Sequence, residues 1–175
     1  CGSGTLAIEA ALVAARRAPG LGRSFAFEAL PGHDAARTAR VRARLAALAR
    51  PVPVPIHASD RNAGALRLAA KNAAAAGIAD AIAFARADAA AAPAPAGPGL
   101  LAVNPPYGVR LDAELQASWR ALGALLARLP GWRAAVLAPA RGGEALLGLL
   151  PGRAAEAPRR ISNGGLACLL ALRSA

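Results

Sequence analysis

Apolar positions in this chain fall in short continuous runs that alternate with longer segments of helical spacing. Leu6, Ile8, Leu12 and Val13 form a stripe over a helix at residues 5–17, with Thr5 as its N-cap and Pro19-Gly20 and Gly22 ending it. Phe25 and Phe27 make a short apolar patch, expected to pack over a sheet edge. The turn Pro31-Gly32-His33-Asp34 offers Asp34 as N-cap for a helix at residues 35–49. A strand at residues 56–59 ends at Asp60, and a helix follows at residues 62–76, with Gly77 just past it. Residues 82–85 read as another strand, ending near Asp88. Residues 89–99 are low-complexity Ala, Pro and Gly, which predicts a loop. Leu100-Leu101-Ala102-Val103 reads as a buried parallel strand. Asp112 can cap a helix to residue 129, residues 134–137 form the next strand, and a short helix covers residues 143–149. At the end, runs at residues 158–162 and 166–172 flank Asn163-Gly164, the strongest short hairpin signal.

Strands alternate with helices until the hairpin. This predicts an α/β fold with a mostly parallel sheet and an antiparallel strand near its edge. No repeat or second domain interrupts it.

The length of 175 residues suits one domain with one sizeable core. The formal net charge of +11 is almost all arginine, Lys71 being the only lysine. Arginine holds phosphate bidentately, so RNA or DNA is the implied partner. The competing explanation is a composition rich in Ala, Arg, Gly and Pro throughout. Arg37, Arg40 and Arg44 share one helix face, which reads first as a solvated face and alternatively as a nucleic-acid contact. Cys1 and Cys168 show neither metal spacing nor a disulfide framework, so no metal is expected and a reducing, cytoplasmic setting is. No apolar run reaches membrane-spanning length.

Candidate chemistry sits at the strand ends. Asn104 follows its strand where open α/β sheets bind ligands. Pro105 and Pro106 remove two backbone donors and stiffen the loop, and Tyr107, the only tyrosine, adds a flat wall. The result is an acceptor-rich clamp for a planar group bearing an NH2. A plain turn is the bland alternative. The turn Cys1-Gly2-Ser3-Gly4-Thr5 enters a helix whose free N–H groups suit a carboxylate or phosphate. It lacks the Walker lysine, which argues against a triphosphate. Asp60 can accept two ribose O–H bonds or cap the next helix. Asp88 can accept from an adenine amino group or serve as a turn residue. Together these suit an adenosine cofactor with an anionic tail, and S-adenosyl-L-methionine fits. His33 reads as a turn residue and His57 as structural. Ser3 has no neighbouring base, and Trp119 and Trp132 read as packing residues.

These stretches resemble the catalytic domain of the bacterial 23S rRNA guanine-N2 methyltransferases, whose full-length members carry an upstream THUMP RNA-binding region. The similarity runs through residues 1–10, 18–23, 31–34, 58–60, 72–77, 104–111 and 163–168, in the family's order. Val109 stands where that family usually has glutamate. The resemblance implies a Rossmann-like class I S-adenosylmethionine-dependent methyltransferase fold. It also implies methyl transfer to the exocyclic N2 of a guanine in 23S rRNA.

On that reading Asn104 and the Pro105 carbonyl accept the two amino hydrogens and Tyr107 stacks on the base. Pro106 lines the substrate side and Arg110 meets a phosphate or solvent. Cys1, Gly2, Ser3, Gly4, Thr5, Asp60, Asp88 and Asn104 surround the cofactor. The Asn-Pro-Pro-Tyr motif is shared with adenine-N6 DNA and glutamine-N5 protein methyltransferases, so those acceptors stay open, as does an inactive RNA-binding fragment. Residues 1–175 read as one catalytic domain beginning inside its glycine motif. The strand that normally precedes such a motif would lie between those ending at Asp60 and Asn104. Without it, both would carry unpaired edges.

Overall fold

A computed structural model describes residues 1–95, 97–106 and 113–174. Helix α1 spans Thr5–Ala14 and α2 Ala35–Ala46, followed by strand β1 at Ile56–Asp60, α3 at Ala63–Ala75 and β2 at Ile82–Arg86. Then come β3 at Leu100–Val103, α4 at Ala113–Ala127, β4 at Arg133–Pro139 and α5 at Gly143–Leu147. Strands β5 (Arg153–Ala154), β6 (Arg159–Asn163) and β7 (Leu166–Ser174) close the chain. Short 3-10 turns lie at Ala26–Ala29, Ala79–Ala81 and Ala89–Ala91.

The strands form two hydrogen-bonded groups. β1 and β2 pair in parallel, from Ile56 opposite Ile82 to Asp60 opposite Arg86. β3 and β4 also pair in parallel, from Leu100 opposite Arg133 to Val103 opposite Val136. β7 runs antiparallel to β4 and pairs with both β5 and β6. The antiparallel end is therefore larger than one edge strand: β5 is too short to show in the hydrophobic pattern. β1 and β3 are each paired on one side only, and no described strand lies between them. This explains why β3 is half-covered rather than buried. Its residues alternate between exposed and partly buried, and Leu100 is 57% exposed.

Among the described residues three apolar clusters are buried, the smallest being Ala92, Leu125 and Leu129. In the first, Leu115, Trp119, Leu122 and Leu126 lie on one stripe of α4 and pack on Ala134, Val136 and Ala138 of β4 and Leu169 and Ala171 of β7. Each large side chain so buried contributes about 1.5–3 kcal/mol over leaving it in water. Trp119 is a core residue, as expected, and Trp132 packs flat against Gly99, where any Cβ would lie 2.7 Å from its ring. The second core joins Ile8, Ala11 and Ala15 to Ala58, Ala73, Ile78 and Ile82. Alanines let α1 approach β1 and α3 closely. The buried stripe of α1 is thus Ile8 and Ala11, running on to Ala15 just past the helix, while Leu6 and Val13 point outward.

Local end signals act largely as expected. Asp34 Oδ1 accepts from Arg37 N–H at 2.8 Å. The cap of α3 is Asn62, through Gly64 and Ala65, rather than Asp60. Two others differ. Gly4, in a left-handed conformation, precedes α1 as its N-cap, and Thr5 is the first helical residue. The hairpin turn is Gly164-Gly165, both at positive φ, while Asn163 still pairs with Leu166. Two adjacent glycines provide the two left-handed positions of a tight turn. Phe25 and Phe27 pack near α2 rather than over a sheet edge.

Candidate active site

The first side of the site is the glycine turn. Gly4 adopts φ +84°, and a Cβ there would lie 2.9 Å from Ala69 Cβ of α3. Only glycine allows both the turn and the contact. Gly4 N–H donates back to the Cys1 carbonyl at 3.0 Å, and Asn72 Nδ2 of α3 donates to the Ser3 carbonyl at 2.9 Å. Ser3 Oγ and Thr5 Oγ1 stand 3.0 Å apart. No side chain caps α1, so the N–H groups of its first turn remain available to an anion.

The second side is the end of β1. Asp60 Oδ2 accepts from Gly2 N–H at 2.8 Å and from the Cys1 amino group at 2.9 Å. Its Oδ1 accepts from Asn62 N–H at 2.9 Å. Burial alone would raise the carboxyl's pKa. The backbone N–H groups of Asn62 and Gly2 oppose this, and the carboxyl lies below its ordinary value. Asp60 is therefore an ionised brace for the glycine turn as well as an acceptor at a strand end. The capping role weighed for it falls to Asn62, whose own N–H it holds.

Asp88 lies just beyond β2 and is exposed, with Oδ1 accepting from Ala90 N–H at 3.0 Å. This is the turn role.

The third side is the end of β3. Asn104 is exposed, Pro105 is buried and Pro106 is exposed. The buried proline anchors a loop that leaves the amide outward. Tyr107 and Arg110 lie outside the described residues, as do Val109 and Asp112. Just after them, the start of α4 reaches back to the end of β1: Arg61 Nη2 donates to Glu114 Oε1 at 2.9 Å. Arg86 Nε in turn donates to the Arg61 carbonyl at 3.3 Å. This exposed pair sets the carboxyl end of β1 beside the helix that follows the Asn104 loop.

Asn72, Arg61 and Glu114 have structural parts that sequence reasoning did not assign. Asn72 falls within a family-like stretch, but its partner is 69 positions away, and the Arg61 partner is 53 away. The small residues Ala69 and Ala73, fully buried on α3, were the available hint of close approach to the glycine turn.

The arrangement fits an adenosine cofactor with an anionic tail. The cradle at Gly4 has no room for a side chain, the first turn of α1 is uncapped, and carboxylates stand at the ends of β1 and β2. His57 is exposed in β1, and His33 packs edge-on against Phe27, so neither adjoins the brace. Among the described residues no cluster of His, Cys, Asp and Glu could hold a metal, and no helix is long and apolar enough to cross a membrane.

Comparisons with known proteins point the same way. Residues 1–147 match the family model described as "RMKL-like, methyltransferase domain". The chain is 40% identical over 183 residues to the ribosomal RNA large subunit methyltransferase K/L of Chromohalobacter salexigens, covering 98% of this chain and 24% of that protein. Among solved structures, SMU.472 complexed with SAH superposes with a TM-score of 0.88 at 32% identity, over 99% of this chain and 46% of that one. A "predicted N6-adenine-specific DNA methylase" from Listeria monocytogenes superposes with a TM-score of 0.83 at 30% identity, over 99% and 44%. The chain thus spans about a quarter of its curated relative and under half of these structures.

Proposed function

Because the chain belongs to the RMKL-like methyltransferase-domain family, with the Rossmann-like fold of class I methyltransferases, we propose that it is the catalytic part of an S-adenosylmethionine-dependent RNA methyltransferase acting on guanine N2 in 23S rRNA. The observation that carries this is the loop at the end of β3, where buried Pro105 fixes exposed Asn104 beyond a parallel strand.

S-adenosylmethionine, when bound, supplies an electrophilic methyl group on a sulfonium. The N–H groups opening α1 take its carboxylate, with Gly2, Ser3, Gly4 and Thr5 forming the turn and Cys1 bracing it. Asp60 holds the turn and would offer the one acceptor site left on Oδ1 to a ribose hydroxyl, and Asp88 would accept from the adenine amino group. Asn104 Oδ1 and the Pro105 carbonyl accept the two hydrogens of the guanine amino group. This turns the nitrogen lone pair out of conjugation and toward the methyl donor. Orientation and electrostatics are the main catalytic contributions, and the departing proton needs no strong base. Tyr107 stacks on the extruded base, with Pro106 beside it and Arg110 at a flanking phosphate.

A second acceptor, adenine N6 in DNA, is favoured by the name of the Listeria relative. Assays of the intact protein with 23S rRNA, duplex DNA and a glutamine-bearing protein separate the acceptors. Labelled N2-methylguanosine from rRNA is the expected product. N6-methyl-2′-deoxyadenosine from DNA, or a methylated glutamine, would replace this reading.

A further inference from the structure

We propose that the groove between α2 and the segment preceding it docks a single-stranded stretch of the substrate RNA. The inference takes its choice of partner from the RNA-methylation reading. Helix α2 has no buried residue, although it is twelve residues long. Beside it lies a cleft of about 580 Å³, lined by Phe25, Phe27, Leu30, His33, Val41 and Arg42 among others. Its aromatic side is pre-built. The Phe25 and Phe27 rings are stacked at 5.8 Å, His33 meets Phe27 edge-on at 5.5 Å, and Phe27 and Val41 remain about half exposed.

The groove is held open by an internal ion pair. Arg42 donates to Glu28 Oε1 at 2.5 Å and to the carbonyls of Leu21 and Arg23. The Glu28 carboxylate also takes the Phe25 N–H, so its charge is spent inside the wall. Arg23 lies over the Phe25 ring, 4.5 Å from its centroid. Arg37, Arg40 and Arg44 project from α2 with no carboxylate partner among the described residues. Eight arginines and only two carboxylates lie between residues 16 and 50, so over half the chain's net charge is concentrated in this segment.

An exposed ring over an apolar floor, with Arg37 in the lining and Arg40 and Arg44 on the same face of α2, matches a nucleobase and the phosphates flanking it. A protein partner would have to bring several carboxylates to the same rim. The solvated-face reading of these arginines accounts for their exposure but not for the aromatic cleft beside them.

The test is equilibrium binding of a labelled single-stranded RNA 20-mer by the intact protein across a salt series. The variants are Arg37→Gln/Arg40→Gln/Arg44→Gln, Phe27→Ala, and a charge-matched control, Arg153→Gln/Arg159→Gln/Arg160→Gln, on β5 and β6. Losing three phosphate contacts should lower the salt slope by about 2. Phe27→Ala should weaken binding about tenfold with its slope unchanged. The control should keep the wild-type slope, and a photo-crosslinker in Val41→p-benzoylphenylalanine should capture RNA. Unchanged slope in the α2 variant, an equal drop in the control, no RNA binding by wild type, or capture of protein at position 41 overturns the groove. Guanine methylation is read separately. Methylation with groove-independent binding leaves the catalytic reading standing and removes the groove, and the reverse result does the opposite.

Discussion

The backbone N–H of Gly2 donates to Asp60 Oδ2 at 2.8 Å, joining the glycine turn to the end of β1 across 58 positions of chain. The carboxylate offered to a ribose thus also holds the turn offered to the cofactor's anionic tail. Its lowered pKa has a consequence for acid stability. A carboxyl held below its ordinary value adds stability that is fully present above the unfolded value of about 3.8 and is lost as pH falls through the lower folded value. Denaturant titrations below about pH 4 should show wild type losing stability faster than Asp60→Asn. Parallel pH curves would remove the brace.

Gly4→Ala tests the cradle. It forces a left-handed conformation on a side-chain residue and drives Cβ to within 2.9 Å of Ala69 Cβ. Strain of this kind costs about 1–3 kcal/mol. Chemical denaturation should register that loss, and calorimetry should register a large loss of S-adenosylmethionine affinity. Wild-type affinity from Gly4→Ala would show that the turn does not bind the cofactor.

Asn72→Ala removes the donor to the Ser3 carbonyl. One such bond contributes about 0.5–1.5 kcal/mol net. Because the bond shapes the turn rather than touching the base, the variant should raise the cofactor's Kd several-fold while kcat at saturating cofactor stays near wild type. A fall in kcat with unchanged Kd would place Asn72 elsewhere in the mechanism.

The edges of β1 and β3 that carry no described partner are templates for pairing with another chain. The 175 residues by themselves should therefore associate and unfold without a sharp transition. Light scattering beside a thermal melt checks this, and a cooperative monomeric melt would contradict it.

Much of this fold was legible because the deciding interactions are local. Asp34 caps its helix within three residues of itself, and the apolar runs at β1, β2 and β4 need only their own composition. Where the reading slipped, a longer-range effect intervened. β3 is as apolar as a buried strand, yet it is half-covered because only β4 flanks it. Thr5 has a capping side chain, but the close approach of Ala69 makes Gly4 the turning point. Asp60, Asp88 and Asn104 lie at or just beyond strand ends, as their apolar flanks indicated. The partners of Asn72 and Arg61 are 69 and 53 positions away and had no local signal.

The most direct measurement is methyl transfer from labelled S-adenosylmethionine to 23S rRNA by intact wild type and Asn104→Ala, with cofactor affinity measured alongside. The account predicts labelled N2-methylguanosine from wild type and a loss of at least about a hundredfold in turnover from Asn104→Ala, as when one preorganised polar group is removed, with nearly unchanged cofactor Kd. Wild-type turnover from Asn104→Ala would contradict it.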